Sequence, residues 1–179
     1  MLPGISTEQL RSRLNRMVAD GLLTRQRYRE VPPRVDYELT ERSRELMPVI
    51  GALARWGYDW TWSAPRPGEE VNVGAVFRLA PGLIEPPPGM EGSVDLIVEG
   101  EGGIPDRRYR LTATRGRVEI SETVTGNGAA SAVSGTQEAW VRALGPDGSS
   151  EALSFSGNRG LADALLGAFT SAAAARRAA

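Results

Sequence analysis

The stretch Ser63–Glu70 (SAPRPGEE) holds two prolines and a glycine among small and polar residues, and it constrains the rest of the chain. Such a run ends any helix or central strand, so it reads as a linker. The whole chain has 179 residues, leaving room for one small domain on either side of the break. Charge also changes sign there. Residues 1–62 carry 10 Arg against 8 acids, and residues 63–179 carry 11 Arg against 14 acids. The sequence therefore predicts two domains of different chemistry, 1–62 and 69–179, joined by a linker at 63–68.

Composition removes most familiar catalytic mechanisms. The chain has no Cys and no His, and all 21 cations are Arg. Disulfides, thiol nucleophiles and Cys- or His-ligated metal sites are excluded. So are Ser-His-Asp triads, lysine Schiff bases and Walker-type phosphate loops. What remains is carboxylate, Ser/Thr, Tyr or Arg chemistry, and no cluster presents it. The expectation is a non-enzyme with no cofactor and no metal. A hydrophobic content of 41% with 24% charged residues is a globular balance, not a disordered one. A net charge of −1 restricts any nucleic-acid role to a local patch. No apolar run approaches the length of about 18 residues needed for a membrane span. The start MLPGIS has neither a basic nor an apolar leader region, so a cytoplasmic protein is expected.

The basic excess concentrates in Arg11–Arg34, with seven Arg against Asp20 and Glu30. Ser6-Thr7-Glu8-Gln9 fits a capping box. Leu10, Leu14, Met17 and Val18 then follow at helical spacing, and Gly21 supplies the terminator. This predicts a helix over Thr7–Asp20. Its opposite face carries Glu8, Gln9, Ser12, Asn15 and Arg16, flanked by Arg11 and Arg13. That set can grip phosphates and read base edges, although a plain solvated face has the same composition. Arg25, Arg27 and Arg29 recur at period two, so they share one face of a strand. Pro32-Pro33-Arg34 turns the chain, and Val35, Tyr37 and Leu39 alternate on the return. A helix, Asp-Gly and then a basic hairpin is the layout of a winged helix, whose helix enters the major groove while the wing touches backbone or minor groove.

These residues carry a family resemblance. LPGIS, the pair Arg13-Leu14 after Leu10, DGLL-x-R over Asp20–Arg25 and EVPPRVDYELT over Glu30–Thr40 resemble the HxlR group of winged-helix transcription regulators. LMPVIGALARWG (Leu46–Gly57) resembles that family's terminal helix. There Thr40 would cap, Pro48 would kink, and Leu46, Ile50, Leu53 and Trp56 would face a core or a partner. The resemblance implies a homodimer on double-stranded DNA. Arg13, Arg16 and Arg34 would contact phosphate or groove, Ser12 and Asn15 the bases, and Thr7, Gln9, Arg11 and Arg29 would support them. The family has two or three helices before LPGIS. This sequence starts at the motif, so a module lacking its usual first helices is expected. The cluster Trp56, Tyr58, Trp60 and Trp62 has the amphipathic aromatics that favour interfaces.

The C-terminal half reads as α-β-β-β-β-α-β-α, an α+β layer with a mostly antiparallel sheet. A helix is predicted over Glu69–Ala80. Strands follow at Ser93–Glu99, Arg108–Thr114, Arg117–Ser121 and Ala129–Gly135. Next come a helix over Thr136–Leu144 with Trp140, a short strand at Leu153–Gly157, and a final helix capped by Asn158. The basic groups Asp106-Arg107-Arg108 and Arg115–Arg117 read as a solvated hairpin. The hairpin RYRLTATRGRVEI (Arg108–Ile120), ASAVSGT (Ala130–Thr136), the Trp140 helix and LSFSGN followed by LADALLGAF, ending at Phe169, are similar to the sterol carrier protein type-two family over about residues 69–175. That resemblance implies an apolar tunnel for a lipid, acyl or sterol-like small molecule. Phe77, Leu96, Leu111, Val118, Trp140, Phe155, Leu161, Leu165 and Phe169 would line it. The same residues are equally a plain core. The expected fold class is α+β: a partial winged helix followed by a sterol-carrier-like domain. The expected function is a one-component regulator that senses an apolar ligand. The alternative is a lipid-binding carrier with a degenerate, non-DNA-binding winged-helix remnant.

Overall fold

A computed structural model describes residues 5–29, 34–61, 63–66, 69, 71–86, 88–123, 128–145 and 148–167. The chain divides into two compact units, Met1–Met47 and Pro48–Ala179. This division falls before the linker expected at 63–68.

The first unit begins with α1 (Thr7–Ala19), whose capping box is present as the sequence predicts. Ser6 Oγ accepts from the Gln9 amide at 3.2 Å, and the Ser6 amide donates to Gln9 Oε1 at 3.1 Å. The helix ends in a Schellman motif. Gly21 takes a φ of 70°, its amide bonds to Val18 O, and the Leu22 amide bonds to Met17 O. Strands β1 (Leu23–Tyr28) and β2 (Arg34–Leu39) pair antiparallel, with Arg25 opposite Tyr37 and Arg27 opposite Val35. The turn expected at Pro32-Pro33 lies outside the described residues. Helix α2 (Glu41–Arg44) closes the unit.

The junction corrects one expectation. Thr40 caps the single turn α2, and a separate helix, α3 (Met47–Thr61), follows. Pro48 is the second residue of α3 rather than an interior one. In a first turn its missing N–H has no partner to lose, so no kink is required. Helix α3 belongs with the second unit and meets α5 (Ala80–Leu83) there. A Cβ on Gly51 would lie 2.0 Å from the Gly82 carbonyl oxygen, so the backbones touch. Arg55 donates to the Gly82 and Leu83 carbonyls, both at 3.2 Å.

The helix predicted over 69–80 is shorter and split. Helix α4 (Val73–Arg78) starts at the Asn72 cap, and α5 begins afresh with a proline in its first turn. Then come β3 (Gly92–Val98), β4 (Arg107–Thr114), β5 (Arg117–Thr123), β6 (Ser131–Gly135), α6 (Gln137–Leu144), β7 (Ser154–Gly157) and α7 (159–167). The five strands lie in the order β5-β4-β3-β6-β7. Only β3 and β6 run parallel among them. Strand alternation puts Val94, Leu96, Tyr109, Leu111, Ala113, Val118 and Val133 on one face, where they join the core. Phe77, Trp140, Ala162 and Leu165 from the helices complete it.

Candidate nucleic-acid interface and the ligand-domain core

No residue of α1 is buried, although its apolar stripe is regular. Leu10 and Met17 are each 37% exposed. Within the first unit only Leu23 and Ser43 are buried among the described residues. Polar bonds hold the unit together. Ser43 Oγ donates to the Leu22 carbonyl at 2.6 Å, Thr40 Oγ1 donates to the Gly21 carbonyl at 2.8 Å, and Arg42 donates to the Asp20 carbonyl at 3.3 Å. These bonds pin the helix–strand corner, and so fix α1 relative to the hairpin.

Every residue named for DNA contact is exposed: Thr7, Gln9, Arg11, Ser12, Arg13, Asn15 and Arg16 from α1, and Arg29 and Arg34 from the hairpin. Several have prior engagements. Gln9 gives its carbonyl oxygen to the cap and keeps its amide protons. Arg16 stands 3.8 Å from Asp20, with both exposed. Arg34 donates to Asp36 at 2.8 Å, and its guanidinium lies 5.8 Å from the Tyr28 ring centre. Arg11 and Arg13 join no ion pair among the described residues.

The hairpin needs a correction. Opposed residues share a face, so Arg25 and Arg27 lie beside Val35, Tyr37 and Leu39 rather than on a separate arginine face. Arg25 sits 5.9 Å from the centre of the Tyr37 ring. Val35 and Leu39 are exposed there. That mixed face can meet a phosphate backbone with its guanidiniums and sugar edges with its methyl groups. Of the three arginines at period two, only Arg29 is expected from the sequence as a DNA contact. The same spacing was the signal for Arg25 and Arg27.

In the second unit, Phe77, Leu96, Leu111, Val118, Trp140 and Leu165 are buried in one cluster, with Phe155 and Leu161 packed against it. Phe169 lies outside the described residues. Phe77 meets Trp140 edge-on at 4.8 Å and Tyr109 at 5.4 Å. Trp140 Nε1 donates to the Ile97 carbonyl at 2.8 Å, which satisfies its one polar atom. The Tyr109 and Ser131 hydroxyls are buried there with no partner among the described residues.

A charged pair absent from the sequence expectations lies on the other sheet face. Asp95 is 1% exposed and accepts two bonds from Arg110, at 2.8 and 3.0 Å. The carboxylate raises the Arg110 guanidinium above its ordinary value through the hydrogen bond, against a smaller desolvation effect. The sequence signal was an acid inside the apolar run Val94–Val98 and an arginine in the next strand. Among the described residues no group of three or more acidic side chains is placed to hold a metal ion. No described helix is long and apolar enough to cross a membrane.

The first unit is thus a helix, a two-stranded hairpin and a closing turn, the helix-and-wing layout of a winged helix. Residues 1–64 match the family model for the HxlR-like helix-turn-helix, and this segment carries that domain. An HTH-type transcriptional regulator of Synechocystis is 48% identical over 59 residues, covering 33% of this chain and 44% of the relative. The regulator YtcD of Bacillus subtilis is 39% identical over 57 residues, covering 32% and 45%. The chain therefore spans under half the length of these curated relatives. Among solved structures, the redox regulator HypR in its oxidized form is 40% identical over 31% of this chain and 57% of its own, with a TM-score of 0.29. The UbiJ-SCP2 ubiquinone synthesis protein is 10% identical over 73% of this chain and 98% of its own, with a TM-score of 0.38.

Proposed function

We propose that this chain is a one-component transcriptional regulator that binds duplex operator DNA through α1 and the β1–β2 wing. The observation that carries the reading is the free face of α1. All seven of its nominated contact residues are exposed, on a helix whose start is fixed by a complete capping box. Arg11, Arg13 and Arg16 would meet phosphates, Ser12 and Asn15 base edges, and Arg29 and Arg34 the flanking backbone. The regulators named among the relatives support the class. A homodimer on a two-fold site fits the outer face of α3, where Val49, Leu53, Trp56 and Trp60 are all more than half exposed. In this reading the second unit, non-catalytic and sterol-carrier-like, holds an apolar small molecule within the cluster around Phe77 and Trp140. A ligand that prefers one arrangement of the paired chains would shift the spacing of two recognition helices.

The test is fluorescence anisotropy of the full chain with duplex DNA at two salt concentrations, with and without a fatty acid. The expected result is binding that weakens steeply with salt. Arg13→Ala with Arg16→Ala should lower the magnitude of the logarithmic salt slope by about 2, one for each phosphate no longer neutralised. No binding at low salt would sink the regulator reading. A second reading, a carrier with a degenerate wing, is favoured by the sparse burial in the first unit. It requires stabilisation by the fatty acid and indifference to DNA.

A further inference from the structure

We propose that the tip of the β4–β5 hairpin is a second ligand site, taking a small polar anion, a phosphate or carboxylate next to a hydroxyl or amine. This goes beyond the apolar ligand of the preceding reading and does not depend on it. An open surface depression of about 540 Å³ lies there, lined by the half-buried Thr112 and the exposed Thr114, Arg115, Arg117 and Glu119. That volume is within the range of small-molecule sites. Thr112 is opposite Glu119 and Thr114 opposite Arg117, so these four share one sheet face. Leu111, Ala113, Val118 and Ile120 point the other way, into or against the core. The lining is therefore held from behind by packed strands.

Two observations mark the place. First, Arg115, Arg117 and Glu119 join none of the ion pairs found among the described residues. Two guanidiniums are thus available to one anion, with the threonine hydroxyls as further donors. Glu119 can accept from a neighbouring hydroxyl or amine. Second, Arg115 has a φ of 49° and Gly116 a φ of 73°. Two-residue hairpin turns with both centres in this region favour Asn or Asp before Gly. An arginine there is strained, and it also lines the depression. Strain of this kind collects at binding sites. The net −3 of residues 63–179 opposes a long polyanion. A small ligand meets two arginines against the single acid Glu119.

The experiment is an NMR titration of the full-length protein with glycerol 3-phosphate, inorganic phosphate and ionic-strength-matched sodium chloride, following amides 112–119. Saturable shifts are expected with both phosphates, tighter for glycerol 3-phosphate, at affinities in about the millimolar range for so open a site. Arg115→Asn suits the turn and should raise thermal stability while weakening binding about tenfold or more. Arg117→Gln should weaken it similarly. Glu119→Gln should strengthen inorganic phosphate and remove the preference for glycerol 3-phosphate. Shifts no larger than those with chloride overturn the proposal. So does unchanged affinity in Arg115→Asn and Arg117→Gln, or a response at 112–119 to duplex DNA with none to either phosphate.

Discussion

The two units solve the problem of staying folded in opposite ways. The second packs one face of a five-stranded sheet under helices, and its largest side chains, Trp140, Tyr109 and Phe77, are all but fully buried. The first buries Leu23 and Ser43 among its described residues and is held by side-chain bonds to the Gly21 and Leu22 carbonyls. Burial of apolar area is the dominant favourable contribution to folding, at about 25 cal/mol per Å². The first unit forgoes most of it, and in return both sides of α1 remain accessible. A small module with so little core rarely persists unaided. The contrast separates a packed scaffold from an exposed module.

The largest effect should come from the scaffold. Trp140→Ala empties the centre of the ring cluster and removes the indole's bond to the Ile97 carbonyl. The expected cost is about 3–5 kcal/mol, measured by guanidinium denaturation followed by far-ultraviolet circular dichroism. Hydrogen exchange on the same variant sharpens the comparison. Amides of the β3–β6 ladder should lose protection while those of α1 keep theirs. Equal loss in both units would show that the contrast in burial is not a contrast in cooperativity.

A middle-sized effect is expected at the corner of the first unit. Ser43→Ala removes the bond to the Leu22 carbonyl, and the hydroxyl it deletes is buried. A loss of about 1 kcal/mol follows from one hydrogen bond of this kind. Helix α1 should then reorient against the hairpin, so DNA affinity should fall although no contacting residue has changed. Retained affinity would mean that the corner does not fix the recognition surface.

Local chemistry was the most legible part of this sequence. The capping box, the Asp-Gly terminator, the presence of the hairpin and the α+β order all follow from short-range patterns, and each is present. What the sequence did not disclose depends on pairing across the sheet. Asp95 and Arg110 are 15 residues apart and meet only because β3 and β4 align them. The depression at Thr112–Glu119 likewise needs the hairpin to set Thr112 beside Glu119. Thr40 misled because a cap specifies where a helix starts but not how long it runs; Pro48 then opened a second helix. The apolar stripe of α1 marks another limit, since periodicity names the face that can be buried and not whether anything buries it.

The smallest effect tests that last point. Met17→Ala and Leu10→Ala remove side chains that are each 37% exposed. If the stripe stands in solvent, each should cost within about 0.5 kcal/mol, the range for surface positions. Denaturation of the full chain at several protein concentrations measures this. A cost of about 2 kcal/mol or more is the signature of a large-to-small change inside a packed site. That result would mean the stripe is covered in solution. Concentration dependence would then assign the cover to a second copy, because only an intermolecular contact makes the midpoint rise with protein concentration. A small, concentration-independent cost leaves α1 as the exposed edge of a unit that keeps its shape by hydrogen bonds at one corner.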